Sequence, residues 1–276
     1  MATTRCPSPA NTTRSRASTT LLLSTSQPTR WSTIRGAGAQ PPSVRRAALE
    51  RLCAQYWFPL FAHQRRRGRS TANAATTVQA LLTRLIRGSS EGFAAIEQGP
   101  NRFREWLLSY LQAHERDLWG GGQAGAPRPD RDPVPVHGDE GERRLKTLLT
   151  THPDPLVVYE YAWASETLRM TRDLLAQEMS KLGQARACEL LLPMLDADSR
   201  QDRAAVGAEL GQSDVTLRVT LFRLRAHFRE LLLAVVGESL VDRAEAGHEL
   251  SVLAEHLVPA AAERDRRAAR SGETRR

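Results

Sequence analysis

The sequence predicts an all-α fold, and three observations carry that prediction. Apolar residues recur at steps of three and four along most of the chain, as in Leu217, Leu221, Leu224, Phe228 and Leu231, a spacing that gathers them on one helical face. No stretch of useful length alternates apolar and polar residues as a half-buried strand does. Gly, Pro and Asp concentrate between the periodic segments, most densely at 120–141, where a chain cannot bury a core and reads as a flexible linker. The expected plan is therefore two helical domains, 29–119 and 142–257, joined by that linker. Residues 1–28 read as a disordered N-terminal segment and 258–276 as a charged, mobile tail.

Each element follows from its own pattern. Within 44–68, Ala48, Leu52, Tyr56 and Leu60 share a helical face. Pro59 is expected to kink or break that helix, because proline lacks the amide donor and clashes with the preceding turn. A second helix, about 71–87, carries Val78, Leu81, Leu82 and Leu85; a third, about 101–118, carries Phe103, Trp106, Leu107, Tyr110 and Leu111. The second region begins near Glu142. Its long helix, about 154–182, sets Tyr161, Leu168, Leu175 and Leu182 at heptad spacing, with Leu174 and Met179 beside them. Packing inside the domain and a coiled-coil partner both fit that stripe. CELLLPML (188–195) reads as a buried helix disturbed by Pro193. Residues 202–233 read as a helix, a tight turn and a second helix, and 236–257 as a terminal helix. The chain has no internal repeat.

Composition narrows the function. The 276 residues hold 39 Lys and Arg against 31 Asp and Glu, a net charge of +8, which favours a polyanionic partner. Lys146 and Lys181 are the only lysines. With so many alanines, such arginine bias also marks a GC-rich genome, so the placement of individual arginines weighs more than their sum. Cys6, Cys53 and Cys188 are far apart and give neither a zinc signature nor a disulfide framework, as suits a reducing cytoplasm. Cys53 and Cys188 read as small buried hydrophobes. No apolar run approaches the roughly 18 residues of a membrane span, and Leu21, Leu22 and Leu23 are too few for a signal-peptide core. A cytoplasmic protein without membrane contact is expected. The seven histidines are scattered without metal-ligand spacing. A phosphate-binding loop, a dinucleotide fingerprint and a nucleophile elbow are all missing from the sequence. Asp196 and Asp198 read as a solvated turn or cap. No enzymatic role, cofactor or metal is expected.

The stretch 202–233 carries the functional signal. Val206 and Leu210 give the shorter helix an apolar face. Gly211 stands where a helix ends in a left-handed residue, and Ser213 where a hydroxyl caps the next helix. This is the pattern of a helix-turn-helix, which suits the major groove of DNA. Arg218, Arg223, Arg225 and Arg229, with His227, lie on or beside the flank opposite the leucine stripe. Arginine pairs with phosphates or grips a guanine edge through two hydrogen bonds. Ser213, Thr216 and Thr220 bear hydroxyls suited to phosphates, and equally to caps and spacers. Asp214 fits the dipole at a helix start and can accept from a cytosine amino group. A solvated amphipathic hairpin shows the same pattern.

Several segments, in order, carry a resemblance to a family. TRWS (29–32), ALERLCAQYWFPLFAHQRRRG (48–68), RFREWLLSYLQ (102–112), YEYAWASETLRMTRDLLAQEM (159–179) and LGQSDVTLRVTLFRLRAHFRELL (210–232) together span most of 29–257. This chain resembles the extracytoplasmic-function (ECF) RNA polymerase sigma-70-like factors. The resemblance implies a region 2-like first domain that docks on core RNA polymerase and melts the downstream promoter element. It implies a region 4-like second domain that reads the upstream promoter DNA, with Phe222 standing where a polar residue is common. Thr77, Gln79 and Arg84 match the polymerase-binding helix, and Arg116 and Trp119 are what remains of the basic, aromatic promoter-melting stretch. An anti-sigma factor or other regulator is a further partner of such proteins. The match is uneven: the polymerase-binding helix of the family carries acidic residues, and 70–83 contains no Asp or Glu. Two other readings follow from the residues: a diverged DNA-binding regulator working through 202–233 without initiating transcription, and a helical interaction module using 154–182.

Overall fold

The computed structural model describes residues 30–35, 41–87, 102–120, 138–148, 152–196 and 200–255. They form helices α1 (Arg30–Arg35), α2 (Pro42–Arg66), α3 (Thr71–Arg87), α4 (Phe103–Gly120) and α5 (Gly138–Thr147). Helices α6 (Pro155–Lys181), α7 (Ala185–Leu191), α8 (Arg200–Leu210), α9 (Asp214–Gly237) and α10 (246–255) follow, with 3₁₀ turns at Leu192–Leu195 and Arg243–Glu245. Among the described residues there is no strand; Arg102 and Leu240 make one isolated antiparallel bridge. The all-α expectation therefore holds. The expected disorder of 1–28, most of the 120–141 linker and the 258–276 tail lie outside the described residues, although α5 already begins at Gly138.

Pro59 departs from expectation. Helix α2 runs unbroken from Pro42 to Arg66 with Pro59 inside it. Proline in a helix interior costs about 3 kcal/mol. Phe58, Leu60, Phe61 and Ala62 around it are all buried, and burying one large apolar side chain contributes about 1.5–3 kcal/mol. Packing therefore outweighs the local penalty. Pro193 does act as expected: α7 tightens into 3₁₀ geometry at Leu192–Leu195.

The main core is built around aromatic rings. Trp31 meets Phe103 edge to face at 5.0 Å, and Tyr56 meets the same ring at 5.0 Å. Trp31, Tyr56, Phe103, Tyr159 and Trp163 have no exposed surface. Leu232, Val236 and Leu240 join the same cluster from the C-terminal half. The turn after α9 ties the halves together: the Trp31 N–H donates to the Glu238 carbonyl at 3.0 Å, and the Phe103 N–H to the Ser239 carbonyl at 2.9 Å. The core is thus not divided at 120–141, since apolar faces from both sides of that stretch meet across α2, α4, α6 and α9.

A second, smaller core lies at the far end of α6, where Leu175, Leu191, Met194, Leu217, Leu221 and Leu224 pack together. The heptad stripe of α6 is spent within the chain. Tyr161 and Leu175 are buried, Leu168 packs against the main core, and Leu182 alone of the four is 70% exposed.

A buried ion cluster closes the main core. Arg104 of α4 pairs with Glu160 of α6 and Glu249 of α10, and Arg102 pairs with Glu249 at 3.0 Å. The Tyr159 hydroxyl donates to the Arg104 carbonyl at 2.9 Å, and the guanidinium lies 4.9 Å from the centre of the Trp163 ring.

Candidate nucleic-acid interface

The turn between α8 and α9 is built by close backbone approach. Gly211 adopts φ +62°, the left-handed conformation that favours glycine. The Gln212 N–H donates to the Gly207 carbonyl at 2.8 Å. A Cβ on Gly207 would stand 2.8 Å from the Gln212 carbonyl oxygen, so only glycine lets the turn fold back on α8. The Ser213 hydroxyl accepts from the Thr216 N–H at 3.2 Å, which satisfies one of the orphan donors at the start of α9. Gly207→Ala puts two effects in opposition. Alanine is favoured in helices by about 1 kcal/mol, whereas the clash costs about 1–3 kcal/mol. A net loss of stability is expected, seen as a lower urea midpoint.

Leu217, Leu221 and Leu224 hold α9 on the second core, and the opposite face is turned to solvent. Arg218, Arg223 and Arg229 are exposed there, and their side chains make no ion pair or hydrogen bond among the described residues. Phe222 is 74% exposed. The other sequence candidates are engaged inside the protein. Arg225 is half-buried and donates to the carbonyls of Met194 at 2.7 Å and Leu195 at 3.2 Å. Asp214 accepts from Arg203 at 3.0 Å, which locks α8 to the first turn of α9. Ser213 and Thr216 share a hydroxyl contact of 2.9 Å, and Thr220 donates to the Thr216 carbonyl at 3.0 Å. His227 contacts Glu178 of α6 at 2.7 Å. Ser213, Asp214 and Thr216 are exposed as well, so the set that is exposed without a side-chain hydrogen bond or ion pair among the described residues is Arg218, Phe222, Arg223 and Arg229. Val215 and Val219, 70% and 46% exposed, join it although the leucine-stripe argument left them out. Their i, i+4 spacing opposite that stripe was the available signal.

The candidates in the first half are more scattered. Thr77 is 7% exposed and faces the core side of α3. Gln79 and Arg84 are exposed, and Arg84 stands 4.0 Å from Asp117. Arg116 is exposed near the end of α4. Trp119 falls in the last turn of that helix, and its side chain lies outside the described residues. A cleft beside Arg116 is lined by His63, Arg67, Arg69 and Glu115, and Glu115 pairs with both arginines.

Among the described residues no group of three or more His, Cys, Asp or Glu side chains is arranged to hold a metal ion. No helix among them is long and apolar enough to cross a membrane. Cys53 and Cys188 are buried free thiols. Burial, with Glu50 nearby, pushes the Cys53 thiol up to about 12. No protein-family model, curated protein or solved structure matches this chain.

Proposed function

We propose that this chain is a sigma-like transcription initiation factor, which binds core RNA polymerase and directs it to promoters by laying α9 in the major groove of upstream promoter DNA. The outer face of α9 carries the reading. It presents unpaired arginines on a helix fixed by a capped, glycine-dependent turn, a way to offer positive charge and side chains to a DNA groove. Elsewhere many arginines are consumed by ion pairs, as at Arg104, Arg144 and Arg169. Further support comes from the resembling segments, whose Trp31, Tyr56, Phe103 and Trp163 converge on one core. An anti-sigma factor or other regulator would act by covering such a face. The first test is gel filtration with core RNA polymerase from the same organism: co-elution is expected, and independent elution at micromolar concentration counts against polymerase binding.

A second reading has its own observation. Helix α3 turns no carboxylate outward between 70 and 83, and Thr77 is buried rather than offered to a partner. A diverged regulator that binds duplex DNA through α9 without initiating transcription fits that surface. Sequence-specific duplex binding without polymerase co-elution would favour it.

Arg223 lies at the border of the outer face rather than at its centre. Arg223→Ala is therefore expected to weaken binding to all duplexes about equally and to reduce the slope of affinity against salt by about one. A loss of about 1–3 kcal/mol confined to one base pair would instead assign it to a guanine edge. Unchanged affinity would remove it from the interface.

A further inference from the structure

The centre of the outer face of α9 is apolar. Val215 is 70% exposed, Val219 46% and Phe222 74%, and Ala226 continues the stripe in solvent. Positions i, i+4, i+7 and i+11 align on one side of a helix, here opposite the buried Leu217, Leu221 and Leu224. At about 100° per residue, Arg218 and Arg229 fall about 60–80° to one side of this stripe, and Arg223 and Thr216 a similar angle to the other. A shallow groove of about 480 Å³ follows the Arg218 edge, lined by Val215, Val219, Leu221 and Phe222 together with Arg203 and Arg225.

We propose that this stripe reads thymine methyl groups in the major groove, over about three consecutive base pairs, while the arginine borders hold the two phosphate backbones. The inference rests on the nucleic-acid reading of α9 and names what that helix recognises. In the major groove thymine alone presents a methyl group; adenine, guanine and cytosine edges offer polar atoms there, and an apolar side chain pressed on those leaves them without partners. From Val215 to Phe222 the helix advances about 10 Å, the rise of about three base pairs. The borders select the occupant. Unpaired arginines on both sides complement a groove walled by two polyanionic strands. A second copy of this chain, seated stripe to stripe, would bring the like-charged borders together.

The test uses the full-length protein and duplexes selected from a random 12-base-pair library, with and without core RNA polymerase. In the selected duplexes each thymine is replaced singly by deoxyuridine, which deletes the methyl group alone. Replacement at thymines within one window of about three base pairs is expected to weaken binding about three- to fivefold each, with no effect outside it. Phe222→Ser, at an exposed position, is expected to erase the sensitivity at one end of the window while keeping the salt dependence. Tight, selective binding that ignores every deoxyuridine would overturn the methyl readout and leave the DNA reading of α9 standing. No duplex binding under either condition would overturn both. Self-association lost in Phe222→Ser, without thymine discrimination, would overturn the proposal and assign the stripe to a second copy.

Discussion

Arg104→Met is expected to lower the stability of the fold by about 3–5 kcal/mol, the usual cost of removing one partner of a buried ion pair. Arg104 is 6% exposed, and it is the cation shared by Glu160 and Glu249, which are 8% and 1% exposed. Burial works against the Arg104 charge, but the two carboxylates outweigh it and hold its pKa above the ordinary value. Burial likewise lifts the Glu160 carboxyl above the usual range, although Arg104 opposes it. Without the guanidinium, two carboxylates would face each other out of water, and Arg102, which also pairs with Glu105, would reach only Glu249 of the two. Glu160→Gln is expected to cost much less, because Arg104 keeps Glu249. Urea unfolding of both variants measures the difference. Since α4, α6 and α10 meet at this cluster, the larger loss should appear in a single cooperative transition that includes both sequence halves.

Acid unfolding is the second large effect, and it centres on His63. Its ring is 5% exposed and lies against Tyr159, 6.2 Å between centres. Burial chiefly, helped by the positive charge of Arg67 and opposed by Asp154, lowers its pKa from 6.5 to about 4. A histidine held neutral in the fold binds its proton in the unfolded chain first. Stability from His63 is therefore fully present above pH 6.5 and lost as the pH falls toward 4, by about 3 kcal/mol in all. Glu142, held low by Arg65 and Thr71 against the opposing effect of its own burial, loses its contribution as the pH falls below the ordinary carboxylate range. The two effects therefore run in the same direction at different pH. His63→Phe is expected to flatten the pH dependence between 6.5 and 4 while leaving the more acidic loss in place. An unchanged profile would contradict the assignment to His63.

Much of the fold could be read before any coordinates, because helical periodicity records which residues a helix buries. The stripe Leu217, Leu221, Leu224 lies buried as its spacing demands. The left-handed Gly211 and the Ser213 cap follow from local backbone chemistry that nearby residues specify almost completely. At Pro59 the local helix penalty gives the wrong expectation, because the packing of Phe58, Leu60 and Phe61 overrides it. The shared core was hidden for a related reason. Gly and Pro at 120–141 report on that stretch of chain and not on which apolar faces meet, and Trp31 touching Phe103 and Trp106 is a contact between distant residues.

The candidate interface is legible in outline and blurred in detail. Counting arginines on α9 found Arg218, Arg223 and Arg229, but spacing alone could not show that Arg225 reaches the carbonyls of Met194 and Leu195, or that His227 meets Glu178. All three partners lie 30 or more residues upstream. Arginine placement also does not single out Val215 and Val219, which face solvent beside Phe222.

Reconstituted transcription tests the central claim most directly. The protein is added to core RNA polymerase from the same organism, on templates carrying the duplexes that the protein selects from the library. The account predicts transcripts that start at a fixed distance downstream of the selected site and depend on the protein, with the yield reduced by Arg223→Ala. Selective binding of those templates with no protein-dependent transcript would contradict an initiation factor and leave a DNA-binding regulator in its place.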